Sequence, residues 1–461
     1  MREHTGMSAV VNRTTGWALV GLVLAAFAVR VSVAAVVQQR LDADPLRAFV
    51  VEGDANGYWE LAQRLATGRP YAVHDPPRRV MRMPGFPLLL SVSIRLFGPD
   101  HWAARVVNCA VGSAACALVF ALARATAGRK TAWPAAIGVA FAPTLVGMSA
   151  LLLSETLFAV AVLVSLLSLV PLTRSVVGRG AFASEDAELP PEGAAADAPP
   201  CPAGTGRDSR RGWLSVAVGG LAAGAAGALA TYVRPSWLLF PPLYSVWLII
   251  RTRCAMRSFV AAACIVVGLF GTLLPWALRN RRPDVAGHWV WTTLWAGPSL
   301  YDGLNPDATG ASDMAFIDRE GVYRRLSEYD ADRHYRTRAW EFARRHPVRV
   351  VALAFAKWKR FFSPWPLTDA FDNPLVRWAM GVYWGAAVVG GAAGMWRLRK
   401  RPEVLALLAG PMAYFAAVHG IFVGSMRYRV PGEPPWLVLA GRGWWVVASQ
   451  RIRWKPSDGN A

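Results

Sequence analysis

The sequence predicts an all-α polytopic membrane protein with about ten transmembrane helices and further helices lying along the outer bilayer face. Composition is the first reason: 461 residues at 54% hydrophobic, 17% charged and mean hydropathy +0.29 are too apolar for ordinary soluble domains. Periodicity of burial is the second, because the apolar residues gather in blocks near the roughly 20-residue length that crosses a bilayer core. Charge placement is the third. The 50 Lys and Arg against 30 Asp and Glu give +20, yet the basic residues sit mainly in short runs between apolar blocks, where they set orientation. They imply no nucleic-acid partner. The 21 Trp and 32 Pro fit the same class, since indoles settle at headgroup level and proline is tolerated in packed membrane helices.

Ten blocks qualify as spans: residues 17–37, 102–123, 132–149, 151–172, 213–232, 237–250, 259–278, 375–396, 404–423 and 436–448. The first follows a short basic stretch, 1–16, but is too long for a signal peptide and has no convincing small-residue cleavage site, so it reads as an uncleaved span. The third and sixth are short, and the boundary between the third and fourth is not marked. With the N-terminus inside, four basic runs all fall on the cytoplasmic side: Arg124/Arg129/Lys130, Arg251/Arg253/Arg257, Arg397/Arg399/Lys400/Arg401 and Arg451/Arg453/Lys455.

The segment 348–362 is apolar at first but carries Lys357, Lys359 and Arg360 and then meets Ser363-Pro364-Trp365-Pro366. Were it to span, the basic loop after Trp396 would move outward, so it is expected to lie on the outer surface as an amphipathic helix. The chain then divides into a cytoplasmic N-terminus (1–16), an N-terminal transmembrane module (17–172) containing a first outer loop (38–101), and a disordered linker (173–211) rich in Ala, Pro and acids. A second helical group (212–278), a long outer loop (279–374), the C-terminal spans (375–450) and a cytoplasmic tail (451–461) follow. No repeat of 20 to 50 residues is visible. Cys109, Cys116, Cys201, Cys254 and Cys264 have no CxxC or Cys/His spacing, so neither a disulfide framework nor a zinc site is expected.

Chemistry is expected where ionisable groups meet the membrane boundary. Asp54, in Val51-Glu52-Gly53-Asp54, opens a short amphipathic helix with Tyr58, Leu61, Ala62 and Leu65 on one face and Gly68 as its stop. Its carboxylate is placed to take a proton from an acceptor hydroxyl, or simply to cap the helix. Arg82, in Arg82-Met83-Pro84-Gly85-Phe86-Pro87, suits a phosphate clamp or an interfacial anchor. Glu155 lies at the outer end of the fourth span, where a carboxylate needs a cavity or a partner; an Arg pair fastening two helices is the alternative. Arg234 ends the fifth span, Arg279 the seventh, and Arg427 and Arg429 the ninth. Four arginines on the outer side run against the inward bias, and with the two carboxylates they suggest an anionic ligand there. Lipid headgroup binding and helix pairing remain the alternatives for each alone. Asp42-Ala43-Asp44 spells a D-x-D metal motif but follows a span instead of a nucleotide-binding sheet. Gly220/Gly224 and Gly390/Gly394 read as helix contacts.

These strings resemble the polytopic GT-C glycosyltransferases, in the branch of protein O-mannosyltransferases, lipid A aminoarabinose transferases and their RgtA/B/C/D-like bacterial relatives. The resemblance runs from about Val51 to Gly441. It rests on Gly53-Asp54-Ala55 with Tyr58, the Arg82 to Pro87 element, Leu96-Phe97-Gly98, Arg105 with Asn108, and Ser154-Glu155-Thr156-Leu157-Phe158. Arg234-Pro235, Pro275-Trp276 with Arg279-Asn280, and Arg427-Tyr428-Arg429 with Pro431 complete it.

The resemblance implies a polyprenyl-phosphate sugar donor, a glycolipid, glycan or protein acceptor, and inverting transfer at the periplasmic face of a bacterial-type inner membrane. It assigns the catalytic carboxylate to Asp54 and a second acidic position to Glu155. Arg82, Arg234, Arg279, Arg427 and Arg429 become candidates for the donor phosphate, with Arg82 and Arg427 preferred. No cofactor is required, although a divalent metal is compatible. Gly53-Asp54 stands where the mannosyltransferases have an Asp-Glu pair, and the outer loops are too short for their added lumenal domain. The rivals are a transporter or flippase of lipid-linked sugars, which would place polar groups near the midplane in inverted repeats, and a glycan ligase or polymerase.

Overall fold

The computed structural model describes residues 3–44, 46–178, 182, 206–367 and 373–453. Most of the 173–211 linker, with Cys201, lies outside the described residues, as do 454–461. The linker's two ends differ from expectation: 173–177 continue one helix and 206–211 open the next.

Among the described residues the chain is helical with a single isolated bridge, Val73 to Arg78. The N-terminal module holds α1 (Glu3–Asp42), α2 (Glu52–Ala66), α3 (Gly85–Phe97), α4 (His101–Thr126), α5 (Arg129–Phe141), α6 (Pro143–Ala150) and α7 (Glu155–Val177). α8 (Gly206–Val233), α9 (Phe240–Arg251) and α10 (Met256–Arg281) follow. The long loop folds into α11 (Ala296–Gly303), α12 (Phe316–Glu320), α13 (Glu328–Arg345) and α14 (Pro347–Phe361). α15 (Pro374–Arg397), α16 (Pro402–Leu408), α17 (Gly410–Ile421) and α18 (Glu433–Arg453) close the chain.

Each of the ten predicted blocks falls on a helix or a bent pair, but length and apolarity together select fewer spans. Among the described residues five single helices qualify: α1 from Thr14, α4, α7, α8 from Gly212, and α10. The bent pairs α5 with α6, at 46°, and α16 with α17, at 49°, bring the number to seven. α9 has only 12 residues, about 18 Å of helix, and α15 and α18 are diluted by Gly and Trp or by charge.

Two side chains from distant helices make the irregular backbone tolerable inside the bundle. The α5–α6 bend at Pro143 leaves carbonyls without a helical partner, and Arg30 of α1 donates to Val139 O at 3.0 Å and Ala140 O at 2.9 Å. Arg30 is fully buried. Between α6 and α7 the helix is interrupted at Leu151, Leu152 and Leu153, all buried, and Asn108 of α4 donates to Ser149 O and Leu151 O.

Close helix approach rests on glycine. α8 and α10 run parallel in contact at Gly220, Gly224 and Gly268; a Cβ on Gly224 would meet the Ile265 carbonyl and one on Gly268 the Leu221 carbonyl. α15 meets α18 in the same way, with Gly390 against Trp444 and Gly394 against the Leu439 carbonyl. Gly224→Val is therefore expected to force α8 from α10 and cost about 1–3 kcal/mol, read as a lower unfolding temperature in detergent; an unchanged transition would refute the close contact.

The long loop has its own aromatic core of Tyr301, Phe316, Tyr323 and Tyr335. It docks on the first loop through Glu328, whose carboxylate accepts from the backbone N–H of Arg79 at 2.7 Å and of Val80 at 3.1 Å. Burial pushes the Glu328 carboxyl up to about 7, against the pull of those two donors. α14 presents Val348, Val351 and Phe355 to the outside, and Lys357 from its other side donates to Ile421 O at 2.6 Å.

Candidate active site

Five of the sequence-selected residues meet at one end of the bundle, each delivered by a different segment. Asp54 sits in the first turn of α2, where the helix dipole favours a carboxylate. It is not the cap: Val51 holds that position and makes no side-chain cap bond. The buried face of α2 (Ala55, Tyr58, Leu61, Ala62) fixes the helix against the module, and Gly68, at φ 70°, follows it. Arg82 lies just before α3, its backbone carbonyl held by the Tyr71 hydroxyl at 3.2 Å. Gly85 lets α3 approach α8 so closely that a Cβ there would stand 2.7 Å from Tyr232 O.

Glu155 begins α7 and is fully buried. Arg234 follows the last residue of α8, which Pro235 terminates. Arg427 lies in the tight helical turn Met426–Gly432 that links α17 to α18, where Ser425 caps its N–H at 3.3 Å.

The charges alternate. Arg82 Nη2 lies 2.9 Å from Asp54 Oδ1, and Arg427 Nη2 lies 2.6 Å from Asp54 Oδ2. Arg427 also donates through Nε to Glu155 Oε1, and Arg234 Nη1 reaches the same oxygen at 2.5 Å. One guanidinium therefore bridges the two carboxylates. Three guanidiniums face two carboxylates, leaving one net positive charge. Exposure falls inward: the Asp54 side chain is 33% exposed, the three arginines 13–19%, and Glu155 0%. Burial alone would push the Asp54 carboxyl up, but Arg427 and Arg82 outweigh it and hold the group well below the usual carboxylate range.

Aromatic rings position the arginines. The Arg82 guanidinium lies 4.6 Å from the centre of the Tyr58 ring, and the Tyr58 hydroxyl is 3.2 Å from Ser154 Oγ. Tyr428 serves two arginines, with Arg234 at 5.2 Å and Arg427 at 5.8 Å. Its ring stacks on His419 at 4.3 Å, and His419 in turn stacks on Phe361 at the end of α14. Sequence reasoning noted Tyr58 as a helix-face residue and Tyr428 only as part of a string; the contacts of Tyr58 with Arg82 and of Tyr428 with Arg234 join separate segments and did not show.

Two selected arginines stand elsewhere. Arg279 donates to Tyr71 O, Arg79 O and Asn280 Oδ1, tying α10 to the first loop, and makes no hydrogen bond to Asp54 or Glu155 among the described residues. Arg429 is fully buried against the Trp384 ring at 3.7 Å, pairs with Glu433 at 2.7 Å, and donates to Phe361 O and Ser363 O. That geometry fastens the end of α14 to α18. The signal was legible: Glu433 lies four residues on.

A divalent metal does not fit this arrangement. Asp54 and Glu155 are only two ligands, both engaged by guanidiniums, and the described residues contain no group of three or more His, Cys, Asp or Glu able to hold an ion. Asp42 and Asp44 of the D-x-D string are occupied by Gln38 and Arg47.

Residues 76–176 match the family described as dolichyl-phosphate-mannose-protein mannosyltransferase, a stretch that includes Arg82 and Glu155. No curated protein matches the chain by sequence. Its structure is similar to the apo oligosaccharyltransferase of Archaeoglobus fulgidus, with TM-score 0.56 and 15% identity over 94% of this chain and 51% of that one. The same enzyme tethered to an acceptor peptide aligns with TM-score 0.50 and 13% identity, over 94% and 50%. ArnT from Cupriavidus metallidurans, bound to undecaprenyl phosphate, aligns over 95% of this chain and 79% of its own, with 15% identity and TM-score 0.39. This chain spans about half the length of the oligosaccharyltransferase. With its apolar spanning helices, it is an integral membrane protein with the fold of the GT-C glycosyltransferase superfamily.

Proposed function

We propose that this protein is an inverting glycosyltransferase that moves a sugar from a polyprenyl-phosphate donor to an acceptor hydroxyl at the outer boundary of a bacterial-type inner membrane. The observation that carries the reading is the one-third-exposed Asp54 carboxylate set among Arg82, Arg427 and Arg234, a group of net positive charge at one end of an apolar bundle. A base and a phosphate cradle side by side are what the reaction needs. The acceptor oxygen attacks the anomeric carbon, its proton passes to Asp54, and the bond from that carbon to the phosphate oxygen breaks. The electron pair leaves on polyprenyl phosphate, whose charge Arg82 and Arg427 stabilise. Glu155 holds Arg427 and Arg234 in place from below. The match to a dolichyl-phosphate-mannose-dependent family supports a lipid-phosphate donor.

The purified protein is expected to release polyprenyl phosphate from a polyprenyl-phosphate sugar only when an acceptor is supplied. Hydrolysis or release that ignores the acceptor would contradict transfer. Single cysteines placed beside Asp54, Arg234 and Arg427 are expected to react with an impermeant thiol reagent added from the periplasmic side. Labelling from the cytoplasmic side would reverse the orientation.

A further inference from the structure

The carboxylate assigned as base is tied up by the groups assigned to the donor. Arg82 Nη2 donates to Asp54 Oδ1, and Arg427 Nη2 stands 2.6 Å from Oδ2 as a charge contact without a hydrogen bond. The two sides of that network are not equally free to move. Glu155 is fully buried and holds Arg427 through Nε and Arg234 through Nη1, so this inner half is an anchor. Asp54 is the exposed half, and Arg82 carries a buried Nε with no hydrogen-bond partner.

We infer that Asp54 and the donor phosphate compete for the same guanidinium edges, so that lipid phosphate entering the site displaces Asp54 from Arg82 and Arg427 and frees its carboxylate for the acceptor. The inference rests on the proposed function. Arg427 keeps Glu155 through Nε while its Nη2 changes partner, so the exchange needs no loss of the inner pair. A phosphodiester of charge −1 neutralises the one positive charge left by three guanidiniums and two carboxylates. The order of events follows: with the guanidiniums drawn off, the carboxylate that they hold far below its ordinary range becomes a stronger base, and only then is the acceptor activated.

Binding of polyprenyl phosphate alone, with neutral polyprenol as the control, separates the ideas. Asp54→Asn removes the competitor, and this inactive variant is expected to bind polyprenyl phosphate about tenfold more tightly than the wild type while polyprenol binding stays unchanged. Equal or weaker phosphate binding by the folded variant would overturn the exchange. Failure of the wild type itself to bind polyprenyl phosphate would instead overturn the proposed donor. A second measurement needs no variant: with donor varied at saturating acceptor, the acid limb of kcat is expected at higher pH than that of kcat/KM, since the first reports the donor complex and the second the donor-free enzyme. Coincident limbs would also overturn the exchange.

Discussion

Asp54→Asn is expected to lower the transfer rate by about 10²- to 10⁴-fold, the usual worth of a positioned general base, and to leave the fold intact. The amide is isosteric, its oxygen can still accept from Arg82, and Glu155 still holds Arg234 and Arg427. The sign of the pH dependence follows from the same pairing. The carboxylate is the active form, and Arg427 and Arg82 overcome burial to hold it ionised far into acid, so donor-free enzyme keeps its base as pH falls through the ordinary carboxylate range. Turnover by purified protein, with gel filtration as the check on folding, decides the point. Undiminished turnover would remove Asp54 from the chemistry.

Replacing Arg427 is expected to injure both stability and activity. Its guanidinium bridges Asp54 and Glu155 and is 16% exposed, while Glu155 is completely buried with Oε2 already unpartnered. Arg427→Ala leaves Glu155 with Arg234 alone, a loss in the range of about 3–5 kcal/mol for breaking a buried pair. Transfer is expected to fall by about 10²- to 10³-fold as charge on the departing phosphate loses its partner. Arg427→Lys separates geometry from charge: an ammonium cannot present one donor to Glu155 and another, fixed relative to it, to Asp54. Lysine is thus expected to recover part of the thermal stability and little of the rate. Full activity in the lysine variant would show that only charge matters.

The fold class and the five charged residues that cluster were legible because their signals are local. Apolar blocks announce helices, and a carboxylate or guanidinium at the end of such a block announces the boundary. The breaks were not legible. Residues 132–172 read as two spans with no marked border because the connection itself, Leu151 to Leu153, is apolar and buried, and its backbone is satisfied by Asn108, more than forty residues earlier. Arg279 and Arg429 share residue type and placement with Arg234 and Arg427, yet face a different set of partners. For Arg279 only the tertiary packing of the first loop makes the difference, whereas Arg429 has Glu433 four residues on. Among the described residues the ten spans shrink to between five and seven on length and apolarity because α9 is only 12 residues long and α15 and α18 are diluted by Gly and Trp or by charge.

Arg30 carries a consequence for biosynthesis. The carbonyls that receive it belong to Val139 and Ala140, which are made more than a hundred residues later. When the first span leaves the ribosome it must therefore partition into lipid carrying an unanswered charge, a penalty of about 2.5–3.5 kcal/mol near the helix centre. Its long run of Val, Leu and Ala has to outweigh that penalty unaided, and the debt is settled only when the bent α5–α6 pair arrives beside it.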